Sequence, residues 1–320
     1  MKRFFRTSIL VYGLIAISAT SSCFASYAKS SQESLAYSPR RLIRGTAKKP
    51  NFPKAFIDLL HYFQIPCNTD DIDSVHAALE SRWTRGKKEI WELPDLELSD
   101  KGYVWSLLQE IGVIDEVQPK KQSYEYGVVL GAVCGLMKKR LTVLNNHFKN
   151  GVRFNQILLK ASERPLDPVV EDEAAIVRQL ADTPKLSIPA GAVLPKTEGE
   201  ALLFYFEHME LEPELKKLPV MVISAQMHEK AEGSTRPNTI DSLNKWLQTS
   251  PKPGTTLLVS SQPYVPYQGS VYRKLLPDAF EIDCVGDVCH PKFQMMKILG
   301  AVYAWYRIEY EAVKEGKPLR

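Results

Sequence analysis

Apolar positions recur along this chain with two different periods, and the change between them divides it. Phe56, Leu59, Leu60 and Phe63 fall at helical spacing, and residues 72–83 carry a second amphipathic stretch. Val104, Leu107, Leu108 and Ile111 make a third, closed by Gly112. These predict a helical segment over residues 55–120 that packs on the main domain. From Tyr124 the pattern changes. Residues 126–132 form a short continuous apolar run ending in Gly131 and Ala132, as expected of a strand buried on both faces. A helix comes next over residues 136–150, with Leu141, Leu144 and Phe148 on one face, and Gly151 stops it before a strand at residues 154–159. Strand, helix, strand is a βαβ unit, whose crossover should be right-handed. Further strands are predicted at residues 219–223, 255–260 and 280–285, and further helices at residues 198–209, 239–247 and 293–314. This alternation predicts an α/β fold, a doubly wound and mostly parallel sheet over residues 121–320 that ends in a long helix.

The N-terminus changes the expected compartment. Lys2, Arg3 and Arg6 precede an apolar run at residues 8–19, and small residues then offer cleavage after Ala25 or Ala28. This is the three-part pattern of a secretory signal peptide over residues 1–25, with an uncleaved anchor as the rival. Export to the periplasm or beyond is the expectation. Residues 26–54 are rich in Ser, Lys, Arg and Pro and read as a flexible basic linker. Its part from residue 40 to 54 has the charge for weak contact with an anionic membrane surface; a solvated tail is the alternative.

Composition narrows the classes. With 44% hydrophobic and 24% charged residues the chain is an ordinary globular one. The formal net charge is +4, and loss of Lys2, Arg3 and Arg6 with the leader takes three of those charges away. No overall basic character then argues for nucleic acid. Cys67, Cys134, Cys284 and Cys289 would remain after processing. Cys284 and Cys289 are close enough in sequence for a small disulfide loop in an oxidising compartment. Free thiols, or a metal site with Asp283, Asp287 and His290, are the alternatives. The spacing matches no zinc pair, so no metal is expected.

In an open α/β sheet, ligands bind outside the carboxyl ends of the strands where strand order reverses. The loops after the strands are therefore where chemistry is sought. Gly131 to Gly135 could let backbone N–H groups meet an anion at a helix N-terminus, or could be a tight turn. Arg140 lies in the next helix. Glu163 and Arg164 come just after the second strand, near the expected crevice. Glu198 opens a helix whose cap is Thr197, and Arg236, Asn238, Thr239 and Asp241 surround the start of another. Ser260 to Gln268, with Ser261, Gln262 and Tyr264, supplies hydroxyl, amide and phenol groups with little apolar purpose. It lacks the G-x-S-x-G nucleophile elbow.

Taken in order, residues 128–132 (VVLGA), Arg140, Ser162-Glu163-Arg164, residues 197–200 (TEGE), residues 236–241 (RPNTID) and residues 257–264 (LLVSSQPY) resemble the α/β family of the bacterial envelope proteins SanA, ElyC and YdcF. The resemblance covers roughly residues 124–286. It implies a Rossmann-like domain in an exported or tethered envelope protein. Its pocket for a nucleotide-like or S-adenosylmethionine-like ligand would take Gly131, Arg140, Glu198, Arg236, Asn238, Thr239, Asp241 and Ser261. Two departures stand out: Ala161 and Ser162 replace the family's Gly-Gly, and Tyr264 stands in place of its histidine.

Two functions are compatible with these residues. One is an enzyme on an envelope precursor or nucleotide-like substrate, with Glu198 or Asp241 as base and Arg140 or Arg236 holding an anion. The other is a non-catalytic exported binding or interaction module using the same polar groups for recognition.

Overall fold

A computed structural model describes residues 41–65, 68–84, 92, 94–228 and 235–317. The expected signal peptide, residues 26–40 of the linker and Cys67 lie outside them. Among the described residues no helix is long and apolar enough to cross a membrane.

The centre is a five-stranded, all-parallel sheet: β3 (Ser123–Leu130), β4 (Arg153–Ser162), β5 (Val220–Ala225), β6 (Thr255–Ser261) and β7 (Glu281–Asp287). Their spatial order is β5-β4-β3-β6-β7. Strand order runs outward from β3 in one direction, then restarts beside it with β6, so the reversal lies between β3 and β6. The central strands are buried on both faces and read as apolar runs, whereas edge strand β5 leaves Val220 and Val222 exposed. Val129, Ile157, Leu159, Leu257 and Val259 pack against α4 (Cys134–Lys149) and α6 (Glu198–His208). Val128, Leu158, Ile223 and Leu258 face α8 (Thr239–Leu247) and α9 (Val265–Leu275). The expected doubly wound, Rossmann-like fold is what the chain forms.

A third core joins the two ends of the described chain. It combines α1 (Lys54–Tyr62), α2 (Ile72–Trp83) and α3 (Lys101–Ile111) with α10 (Met295–Lys314). The aromatic stripe of α10 lies here: Trp305 and Tyr306 are buried beside Phe52, Phe56, Leu59 and Val75. Glu309 of α10 accepts the Ile43 N–H at 2.8 Å, and the Tyr306 hydroxyl donates to the Ile72 carbonyl at 2.9 Å. The C-terminal helix thus belongs as much to the helical segment as to the α/β domain.

Two expectations are corrected here. The basic linker does not stay flexible up to residue 54: Leu42, Ile43 and Phe52 are buried, and a hairpin of β1 (Arg44–Thr46) and β2 (Lys49–Asn51) lies between them. Its strands expose their side chains, so charge density hides the apolar residues on either side. Cys284 and Cys289 are free and buried, as is Cys134. Cys284 sits in mid-strand on β7 and belongs to the α8–α9 face, whereas Cys289 belongs to the helical core. The extended backbone between them, rising roughly 3.3 Å per residue, carries the pair beyond disulfide reach.

Candidate functional site

A cavity of about 690 Å3 opens at the carboxyl edge of the sheet, across the β3–β6 reversal. Its floor comes from the ends of β3 and β4, with Leu130, Gly131, Lys160, Ala161 and Ser162. Its walls are the first turns of α4, α6, α8 and α9. Its roof is helical: Glu80 and Trp83 from α2, with Lys297, Gly300, Tyr303 and Arg307 from α10.

Arg140 is the central charge. It projects from α4 and is only 2% exposed. One guanidinium nitrogen, Nη1, donates to the carbonyls of Leu130 and Gly131 at 2.9 and 2.7 Å. Nε and Nη2 both donate to the Ser261 hydroxyl, at 3.3 and 3.2 Å. All these acceptors are neutral, and among the described residues no carboxylate stands within ion-pair distance. A guanidinium has five N–H bonds, so one on Nη2 is left without an acceptor among the described residues. Burial lowers its pKa to about 10, opposed first by the more distant carboxylate of Glu198 and also by that of Asp287. The side chain therefore stays protonated at neutral pH.

Glu198 is held close by. It is the first helical residue of α6, after a capping box in which Thr197 accepts the Glu200 N–H and Glu200 reaches back. Capping is thus done by Thr197 and Glu200, which frees Glu198 to turn inward. Its carboxylate accepts the Ser162 N–H at 3.1 Å and the Ser162 hydroxyl, and lies 3.8 Å from Arg164. A Cβ on Gly131 would stand 2.9 Å from this carboxyl and 2.8 Å from the Ala161 Cβ, so only glycine lets the chain pass here. Neither Glu198 nor Asp241 forms an ion pair with Arg140. Each is engaged elsewhere.

The structure brings Gly131, Arg140, Glu198, Arg236, Asn238, Thr239 and Tyr264 into one lining. Ser261 lies just behind Arg140. The other four expected residues have different work. Arg164 forms a buried ion pair with Glu171 at 2.5 Å, and Glu171 also accepts the Cys134 N–H at 3.1 Å. The N-terminus of α4 is therefore already met by a carboxylate of the chain itself. Glu163 is exposed near Lys245, 3.9 Å away. Asp241 closes a second capping box by accepting the Asn238 N–H at 2.7 Å, and pairs with His228 at 3.1 Å. Gln262 turns to the loop after α3, donating to the carbonyls of Gly112 and Asp115. Groups of the chain itself engage these four side chains, although Gln262 Oε1 and Arg164 Nε are buried without a hydrogen-bond partner.

Lys160 and the lining residues of α2 and α10 give no such signal in the sequence. Lys160 sits inside β4, 1% exposed, and its Nζ donates to the Tyr272 hydroxyl at 2.5 Å. A lysine interrupting an otherwise apolar strand is the available sign. Tyr267 and Gln268 belong to the first turn of α9, and Gln268 accepts from the Ser260 hydroxyl. Lys297, Tyr303 and Arg307 come from a helix outside the resembling segment. Of the charged lining residues, Arg140, Lys160, Arg236, Lys297 and Arg307 are basic, while Glu80 and Glu198 are acidic. Asp283 is taken by the Tyr124 hydroxyl at 2.6 Å, and no group of three metal-ligating side chains converges among the described residues.

No family model, curated protein or solved structure matches this chain.

Proposed function

We propose that this protein binds a small organic anion, phosphate- or carboxylate-bearing and nucleotide-like in size, in the cavity at the β3–β6 reversal. The observation that carries this is Arg140. A buried guanidinium is costly unless its charge is compensated, and here the compensation is two carbonyls and a hydroxyl. An anion above Gly131 would take the remaining Nη2 proton and complete the set. The excess of basic over acidic side chains around the cavity favours the same ligand charge. Tyr264, Tyr267, Tyr303 and Trp83 supply faces on which a planar ring can lie. With the N-terminal leader pattern, this supports an exported protein acting on envelope-related metabolites.

Calorimetry of the purified protein with nucleotides, S-adenosylmethionine and nucleotide-linked cell-wall precursors tests the proposal. Saturable binding is expected for at least one. Arg236→Ala and Arg307→Ala, both at the cavity rim, should weaken it, and Arg140→Met should abolish it. If none of these anions binds the folded protein, the reading is wrong.

A further inference from the structure

Gln268 is a buried amide of the cavity lining, and the chain orients it. Side chains alternate along β6: Leu257 and Val259 pack on the α4 face, and Leu258 on the face of α8 and α9. Ser261 continues the first face, where it holds Arg140. Ser260 continues the second, where its hydroxyl donates to Gln268 Oε1. This serine is wholly buried, and its only other acceptor among the described residues is the Ser261 carbonyl, at 3.5 Å. A buried hydroxyl proton takes the nearer acceptor, so the Gln268 carbonyl oxygen turns to Ser260 and the amide nitrogen Nε2 turns away. Among the described residues nothing accepts from Nε2, yet it is not one of the fully enclosed nitrogens that lack a partner. It therefore reaches open space, and the open space that Gln268 lines is the cavity.

We infer that the anion is a nucleotide whose base carries a carbonyl, not an amino group, at the end far from its sugar, and that Gln268 selects it. This rests on the anion-binding reading above. Ser260 and Ser261 are neighbours, so the guanidinium and the amide flank the end of one strand from opposite faces. A ligand with its phosphate at Arg140 and its ring against Tyr264 and Tyr267 crosses the carboxyl end of β6 and brings the far edge of the ring to Gln268. The amide offers two N–H donors there and no acceptor. The far carbonyl of uracil or hypoxanthine accepts one of them. The amino group of cytosine or adenine sets donors against donors, and desolvated N–H groups on both sides go unpaired. Turning the amide over would take the near acceptor from the Ser260 proton. Gln268 is thus the specificity-determining contact, and Ser260 a positioning residue that acts through it.

Calorimetry with two pairs of nucleotides tests this, since UMP and CMP, like IMP and AMP, differ chiefly in carbonyl against amino group. At least one carbonyl nucleotide should bind, with its amino counterpart at least about tenfold weaker. Gln268→Leu should bring that pair to within about twofold of each other. Ser260→Ala should also narrow the ratio, because the freed amide can turn its oxygen to the cavity and the amino nucleotide then gains affinity. A merely structural serine would weaken both members alike. The wild-type ratio stands even if a variant fails to fold. Equal binding within each pair, or tighter binding of the amino member, overturns the inference and leaves the anion reading intact. Discrimination that persists in Gln268→Leu overturns the role of Gln268. If none of the four binds while another anion does, the nucleotide inference alone falls, and if no anion binds, both fall.

Discussion

Arg140 and Ser261 meet across the strand reversal, the serine hydroxyl accepting from both Nε and Nη2 of the arginine. The bond ties α4, which comes after β3, to the last residue of β6. It fixes the guanidinium plane beside the cavity. Ser261→Ala should cost about 1–3 kcal/mol, the range for a buried donor left unsatisfied. It should also weaken anion binding, although Ser261 itself does not line the cavity. Urea unfolding and calorimetry on the same variant check both. Unchanged affinity would mean that the arginine needs no positioning.

Gly131 is the narrowest point of the lining. Gly131→Ala places a methyl group against the Glu198 carboxyl and Ala161, so Glu198 must give way. Overpacking of this kind costs roughly 1–3 kcal/mol. Ligand affinity should fall further than in Ala161→Gly, which removes one of the two close neighbours. Equal affinities for the two variants would count against a tight fit at this point.

Glu309 gives the fold a pH dependence. Burial raises its carboxyl to about 7, against hydrogen bonds from the Ile43 N–H and Trp305 Nε1, at 2.8 and 2.6 Å, that pull it down. The folded chain therefore holds this proton more tightly than the unfolded chain. The stabilisation is fully present below about pH 4.5 and is lost as pH rises through about 7. Unfolding free energy should fall over that window by an amount on the order of 3 kcal/mol. Glu309→Gln should flatten the slope. A wild-type curve rising from pH 5 to 7 would contradict the assignment.

The buried cysteines should be silent in the native state. Burial raises Cys134 and Cys284 to about 11 and Cys289 to about 12, so few thiolates are present at neutral pH. A thiol reagent should label none of the three in the folded protein and all of them after unfolding without reductant. A pair that labels only after reduction would restore the disulfide.

Export makes a separate expectation. Protein recovered from the envelope fraction should begin at Ser26 or Lys29, by N-terminal sequencing. Material from that fraction still carrying Met1 would point to the uncleaved anchor.

Burial decides how much of the fold is legible in the sequence. The central strands of the sheet are covered on both faces, so residues 126–132 and 257–259 show as unbroken apolar runs. Helices with one apolar stripe, such as Leu141, Leu144 and Phe148 on α4, are equally plain. α9 reads as a loop for the opposite reason. Its buried face includes Gln268, Gly269, Ser270 and Arg273, which give no apolar period. Pro266 lies at its start, where proline favours a helix rather than breaking it. In the site, Arg140 and Glu198 are picked out by the resemblance, since helix capping alone would account for Glu198 in the sequence. Asp241 and Arg164 mislead, because a capping box and a buried ion pair use the same residue types as a ligand pocket. Lys160 escapes notice, since a single lysine in a strand carries no spacing to read.

The roof over the cavity has a consequence for how the protein is made. α10 is the last helix of the described chain, and all five strands precede it. The sheet and the loops around Arg140 can therefore assemble before residues 295–314 dock over them. A chain whose α10 has not yet docked presents an open cleft, and the docked helix covers it.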